Sequence, residues 1–308
     1  MKALKIFIAP IVLIVASAAA LLYNTEAGQD FLIDRAAQAM VNAKPFNKEG
    51  LNVIVCGSAS PLGYNPERAQ ACIAVVTPEH FFVFDAGSRS PSRIVAARLP
   101  INRLTGVFLT HFHSDHIADL PTINMDSWVR GRSGELNVYG PEGIQSVVGG
   151  FNTAYELDKS YRTAHHGEDL LPAAAAPMNA VTLQPGIAYQ DENITVTAFI
   201  VDHAPIDPAM GYRVDYKGRS VVISGDTVST PSLFVAAKNA DLLLHDALSP
   251  QALKNLISAI QSQRMAKIVS DVEDYHAHST NLEAQTKAAG IKQLAFYHFV
   301  PVPNNPLI

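Results

Sequence analysis

The chain of 308 residues reads as an α/β protein built on a mixed sheet system. Two observations carry that reading. Short apolar runs bounded by Gly, Pro and Asp alternate along the chain with longer stretches of helical periodicity, and no internal repeat is visible. Hydrophobic residues make up 48% and charged residues 17%, a balance that supplies enough apolar surface for a sizeable core.

The N-terminus comes first. Lys2 and Lys5 precede an apolar run from Ile6 to Tyr23, with small residues over Ala16–Ala20. A charged start followed by an apolar stretch is the pattern of a secretory signal peptide, and a run approaching about 20 residues also fits an uncleaved anchor. Either form places the remainder outside the cytoplasm, in a periplasmic or extracellular setting. Residues 1–23 are therefore expected to be the export segment. Residues 24–50 are read as an amphipathic helix over Gly28–Asn42 followed by a linker, and residues 51–308 as the catalytic domain.

Within that domain the expected strands are Leu51–Cys56, Cys72–Thr77, His80–Phe84, Gly106–Thr110 and Glu135–Tyr139. Between them, Pro91–Leu99 suits a helix with Ser90 as N-cap, and Ile117–Trp128 suits another, bent or restarted at Pro121. Asn152–Pro177, with prolines flanking an Ala run, is expected to be a long loop with helical pieces that acts as a lid. Further strands follow at Ile194–Val201, Gly211–Tyr216, Ser220–Ser224, Leu242–Leu244 and Leu294–Tyr297. Helices are expected at Leu253–Met265 and Asn281–Ala289.

Cys56 and Cys72 are too few for a disulfide scaffold or a cysteine-rich zinc site. They read as two buried free thiols in neighbouring strands, although export would permit a bond between them. The net charge is -5 and the cations are not gathered in one tract, so nucleic acid is expected to be an unlikely partner.

The chemistry concentrates in His111-Phe112-His113-Ser114-Asp115-His116, directly after an apolar strand. Imidazole nitrogen and carboxylate oxygen suit zinc, and this density of such donors at a strand end is characteristic of a metal site. Thr110 to Leu120 resembles the His-x-His-x-Asp-His motif of the metallo-β-lactamase superfamily. Cys56-Gly57-Ser58-Ala59-Ser60-Pro61, Phe84-Asp85-Ala86-Gly87 and Tyr139-Gly140-Pro141-Glu142-Gly143 are similar to segments of its ribonuclease Z and arylsulfatase-like branch. The resemblance spans roughly Leu51 to Val302. It implies a four-layer αβ/βα sandwich, the metallo-β-lactamase fold.

It also implies a ligand set: His111, His113 and His203 on one metal, Asp115, His116 and His298 on the other, and Asp226 between them. His245-Asp246-Ala247 and His278-Ser279-Thr280 resemble the branch's proton-transfer segments. His278 held by Asp246 is therefore expected to protonate the leaving group, with His276 as a decoy or accessory. Tyr161, Arg162, His165 and His166 are candidate substrate contacts on the expected lid. Two Zn²⁺ ions are the expected cofactors ahead of Mn²⁺ or Fe²⁺, activating a water held between them. The expected activity is an exported hydrolase of a small phosphodiester, aryl sulfate or related ester, with the membrane reached only through the N-terminal segment. A ribonuclease Z-type endonuclease and a lactonase or β-lactamase are the alternatives, and a metal-binding protein without turnover is the alternative of another class.

Overall fold

The computed structural model describes residues 15, 17–42, 44 and 46–304. Most of the expected export segment lies outside these residues. Among the described residues, no helix is long and apolar enough to cross a membrane. The chain divides into two units, Met1–Pro45 and Phe46–Ile308. In the first, helix α1 (Glu26–Val41) starts at Thr25, whose hydroxyl accepts the Gly28 N–H at 3.1 Å.

The second unit contains two six-stranded sheets. In the first sheet, β1 (Asn52–Gly57), β2 (Cys72–Val76) and β3 (Phe81–Phe84) are antiparallel neighbours. β4 (Gly106–Phe108), β5 (Leu136–Gly140) and β6 (Met178–Thr182) then continue parallel to β3. In the second sheet, β7 (Gly186–Gln190), β8 (Ile194–His203), β9 (Ile206–Tyr216) and β10 (Arg219–Ile223) form an antiparallel meander. β11 (Leu242–Leu248) and β12 (Leu294–Val300) extend it in parallel.

Strand β2 shows why these runs are continuously apolar. Successive side chains point to opposite faces. Ile73 and Val75 join Phe82, Phe84 and Phe108 in the core shared with Val196, Tyr212 and Ile223 of the second sheet. Cys72, Ala74 and Val76 face the other way, among helix residues Ile94, Leu120, Ile123 and Ile144. A strand covered on both faces has no polar side to show. Val222 and Leu243 pack against Leu233 and Ala237 on the far face of the second sheet. The order is helix, sheet, sheet, helix, the four layers the resemblance implies.

The helices of the first half of this unit are α2 (Ser90–Ala96), α3 (Ser114–Ile117), α4 (Leu120–Val129), α5 (Ile144–Ala154) and α6 (Glu156–His166). Later come α7 (Pro231–Ala236), α8 (Pro250–Ala259), α9 (Gln263–Asp271) and α10 (Leu282–Ala288).

Several expectations are corrected. Asn152–Pro177 is not a long loop: its first half finishes α5 and forms α6, and Ala173–Ala175 is a 3₁₀ turn. The helix expected over Leu253–Met265 is two helices, because Ile260 is extended and the Ser262 hydroxyl caps a new start. β6 and β7 escape detection because neither is a strongly apolar run. Cys56 and Cys72 are not free thiols: they form a disulfide with Cα atoms 5.0 Å apart. Their strands pair so that Cys72 lies opposite Gly57, which brings the two side chains together.

Candidate metal centre

The ligand candidates come from both sheets. After β4, the chain turns through His111 and His113 into α3, whose first turn carries Asp115 and His116. His203 ends β8, Asp226 follows β10, and His298 sits in β12. All of these except His113 are buried. Gly225 makes room for the turn into Asp226. Its φ is +67°, and a Cβ there would lie 2.8 Å from the Met210 carbonyl oxygen. Asp85 and His298 also hold positive φ, at 59° and 48°. Such backbone costs on the order of 1–3 kcal/mol per residue and gathers at functional sites.

His111, His113, His203 and Asp226 offer donor atoms within 4.8 Å of one another, and Asp115, His116 and His298 form a second such group. Asp226 stands between them. Its Oδ2 is 3.1 Å from His116 Nε2 and 3.3 Å from His298 Nε2. The same oxygen is 4.0 Å from both His111 Nε2 and His203 Nε2.

Outer contacts fix the rings. His116 Nδ1 lies 2.8 Å from Asp85 Oδ2, while Asp85 Oδ1 accepts the Thr110 N–H at 2.8 Å. His203 Nδ1 donates to the Tyr275 carbonyl at 3.0 Å. Each bond leaves Nε2 as the inward donor, the arrangement that orients metal-ligating imidazoles.

Burial holds the His111 imidazole well below its ordinary pKa, a shift reinforced by neighbouring His116. Burial likewise lowers His113, and pushes His203 to about 4. At neutral pH these rings are neutral, with a lone pair to give. Burial opposes ionisation of Asp226, but His298 and His116 hold its carboxyl well below the carboxylate range.

The residues fit a metal. Buried His203 Nε2 and Asp226 Oδ1 have no hydrogen-bond partner, a costly state for polar atoms away from water. The neutral imidazoles of His111, His113 and His203 with the shared Asp226 carboxylate are donors that a divalent ion satisfies.

The expected contact between His278 and Asp246 is corrected. Asp246, fully buried in β11, accepts from His276 Nδ1 at 2.8 Å and from the Ala277 N–H at 3.3 Å. The carboxylate thus pins the segment at 276–277. His278 lies beyond it, pairs its backbone with Leu248, and turns its ring toward Glu273 at 3.5 Å. His276, expected as a decoy or accessory, is the histidine that meets Asp246, and it lies within ligand distance of Asp226 and His298. The sequence signal was present in the His-Ala-His spacing, but the choice between the two histidines depends on the contact with β11.

A cavity of about 310 Å³ opens on this cluster, lined among others by Ser60, His113, Asp115, Asp226, His276 and His298. A larger cavity of about 600 Å³, around Arg68 and Arg93, contains none of the candidate ligands. The donors, not the volume, locate the chemistry. Tyr161, Arg162, His165 and His166 line neither cavity. They lie on α6, where Tyr161 is 64% exposed and Arg162 pairs with Asp158 one turn away.

A family model described as a β-lactamase superfamily domain matches residues 80–299. Ribonuclease Z of Mycobacterium bovis is 33% identical over 254 residues, 82% of this chain and 86% of that protein. Ribonuclease Z of Mycobacterium marinum is 32% identical over 82% of this chain and 87% of its own length. The solved structure of human tRNase Z, short form, superposes with TM-score 0.60 at 21% identity, over 80% of this chain and 92% of that one. These relatives are named as ribonucleases, which overturns the expectation that nucleic acid is an unlikely partner. A net charge of -5 averages the whole surface and does not describe any one face. By the extent of these matches, the chain belongs to the metallo-β-lactamase superfamily of hydrolases, in its ribonuclease Z-like branch.

Proposed function

We propose that this protein is a zinc-dependent phosphodiesterase of the ribonuclease Z type, with an RNA phosphodiester as substrate. One observation carries the reading: the similarity to ribonucleases Z covers 82% of the chain and most of each relative. The geometry supplies the chemistry. His111, His113 and His203 would hold one ion, Asp115, His116 and His298 a second, with Asp226 shared. Two zinc ions bound there supply Lewis acidity that polarises phosphoryl oxygens and acidifies water.

The chain's own residues do the rest. Asp85 and the Tyr275 carbonyl orient His116 and His203. Asp246 accepts the His276 Nδ1 proton, so His276 Nε2 is the atom that hands a proton to the departing oxygen. Incubation of the zinc-loaded full chain with a transfer-RNA precursor tests the reading. Cleavage that a chelator abolishes is expected; intact RNA at high enzyme concentration overturns it.

A second reading places the protein outside the cytoplasm, acting on shorter phosphodiesters. The Cys56–Cys72 disulfide favours it, since such bonds persist in oxidising compartments, as does the charged and apolar N-terminal segment. Thiol labelling of intact and lysed cells tests it. Cysteines that are free at once on lysis without reductant would remove its support.

A further inference from the structure

The cavity at the ligand cluster has two unlike walls. One is the set of imidazoles and carboxylates already described. The other is built from Pro61, Leu62, Ile268, Val272, Tyr275 and Val300, with no Lys or Arg among the described lining residues. Leu62, Val272, Tyr275 and Val300 belong to one apolar cluster beneath α8 and α9. Ile268, on α9, is 44% exposed and stands at the edge of that wall. Charge recognition is thus confined to the ligand side. The other side offers mainly apolar contact, with the Tyr275 hydroxyl as its polar atom, and Ser60 and Ser114 complete the lining.

We infer that this wall receives one planar apolar group of the substrate, an aromatic ring or a nucleobase on the ester beside the scissile phosphorus. The inference rests on the phosphodiesterase reading for what sits at the ligand cluster. Three features select this occupant. About 310 Å³ accommodates a phosphoryl group with one ring and little more. A wall without cations gives nothing to a second phosphate, so the group that gains from it is the uncharged part of the substrate. Tyr275 presents an aromatic ring next to His203, at 4.8 Å between centroids, so the apolar wall meets the ligand cluster directly. A phosphoryl group at the cluster therefore has its ester substituent against the wall.

Binding to the zinc-loaded full chain, read by calorimetry, tests this without turnover. Phenylphosphonate is compared with methylphosphonate, and adenosine 5′-monophosphate with ribose 5-phosphate. Burial of one ring predicts that phenylphosphonate binds about tenfold or more tightly than methylphosphonate. The nucleotide pair shows whether a nucleobase is accepted in the same way. Ile268→Asn should shrink the phenyl preference severalfold. Met265→Asn, on the same helix, 45% exposed and outside the cavity lining, should leave it unchanged. Equal affinity within both pairs, or a phenyl preference indifferent to Ile268→Asn, overturns the inference. A phenyl preference in a protein that cuts no phosphodiester would preserve the ring site and refute the phosphodiesterase reading instead.

Discussion

Replacing His276 by Ala should slow cleavage in proportion to how much the leaving group needs a proton. His276 Nδ1 is bonded to the buried Asp246 carboxylate at 2.8 Å, which leaves Nε2 facing the cavity. A positioned general acid contributes about 10²–10⁴-fold, so RNA cleavage, which expels a poor alkoxide, should fall by that factor. Hydrolysis of bis(4-nitrophenyl) phosphate expels a stable phenolate and should fall less than about tenfold. Asp246→Asn weakens the same device without removing it. A charge-assisted bond is about twice as strong as a neutral one. The loss is therefore about 1 kcal/mol in orienting His276, roughly five- to tenfold in rate on RNA. Rates on both substrates and zinc content would be measured for wild type and both variants. Equal losses on the two substrates, or departure of zinc from the His276→Ala protein, would refute the assignment and make His276 a metal ligand.

Other consequences concern stability. Phe108 stacks on Phe84 at 5.0 Å and on Tyr139 at 4.5 Å between the sheets, so Phe108→Ala should cost about 3–5 kcal/mol in urea unfolding. A loss below about 1 kcal/mol would contradict the packing. The Cys56–Cys72 bond closes a loop of sequence separation 16, so removing it by Cys56→Ala with Cys72→Ala should lower unfolding stability by about 3 kcal/mol. Unchanged stability would mean the bond constrains little. Asp191 lies 2.5 Å from His80, across the gap between β7 and β3. Burial pushes its carboxyl up, but the Asn193 N–H, His80 and the Ile194 N–H hold it at about 2. A folded pKa below the unfolded value near 3.9 stabilises the fold above about pH 4, and that contribution fades as pH falls toward 2. Wild type should therefore exceed Asp191→Asn in stability at neutral pH and converge with it in acid. A gap that is constant down to pH 2 would rule this out.

How legible the molecule was depends on how far apart in sequence the cooperating groups lie. His111, His113, Asp115 and His116 fall within six residues, and their placement after β4 follows from one apolar run and one tight turn. Strand β2 was visible because both faces are buried and every residue is apolar. Asp246 and His276 lie thirty positions apart. The pairing of Leu248 with His278 decides which histidine meets the carboxylate, and that register leaves no local mark. The segment over 152–177 misled for a different reason. The expected lid gave weight to the prolines around the Ala run. The helical stretch Glu156–His166 is strongly amphipathic but polar overall, and it lies on the surface rather than over the site. The disulfide depended on strand pairing, since two cysteines in adjacent strands read alike whether bonded or free.

In the proposed site, one buried carboxylate, Asp226, would join two metal positions. Zinc content of the full chain, measured by atomic absorption after equilibration and desalting, tests it most directly in wild type, His111→Ala and Asp226→Ala. Two equivalents are expected in wild type, one in His111→Ala, and fewer than one in Asp226→Ala, with RNA cleavage lost in both variants. One equivalent or none in wild type, or two equivalents retained without Asp226, would contradict it.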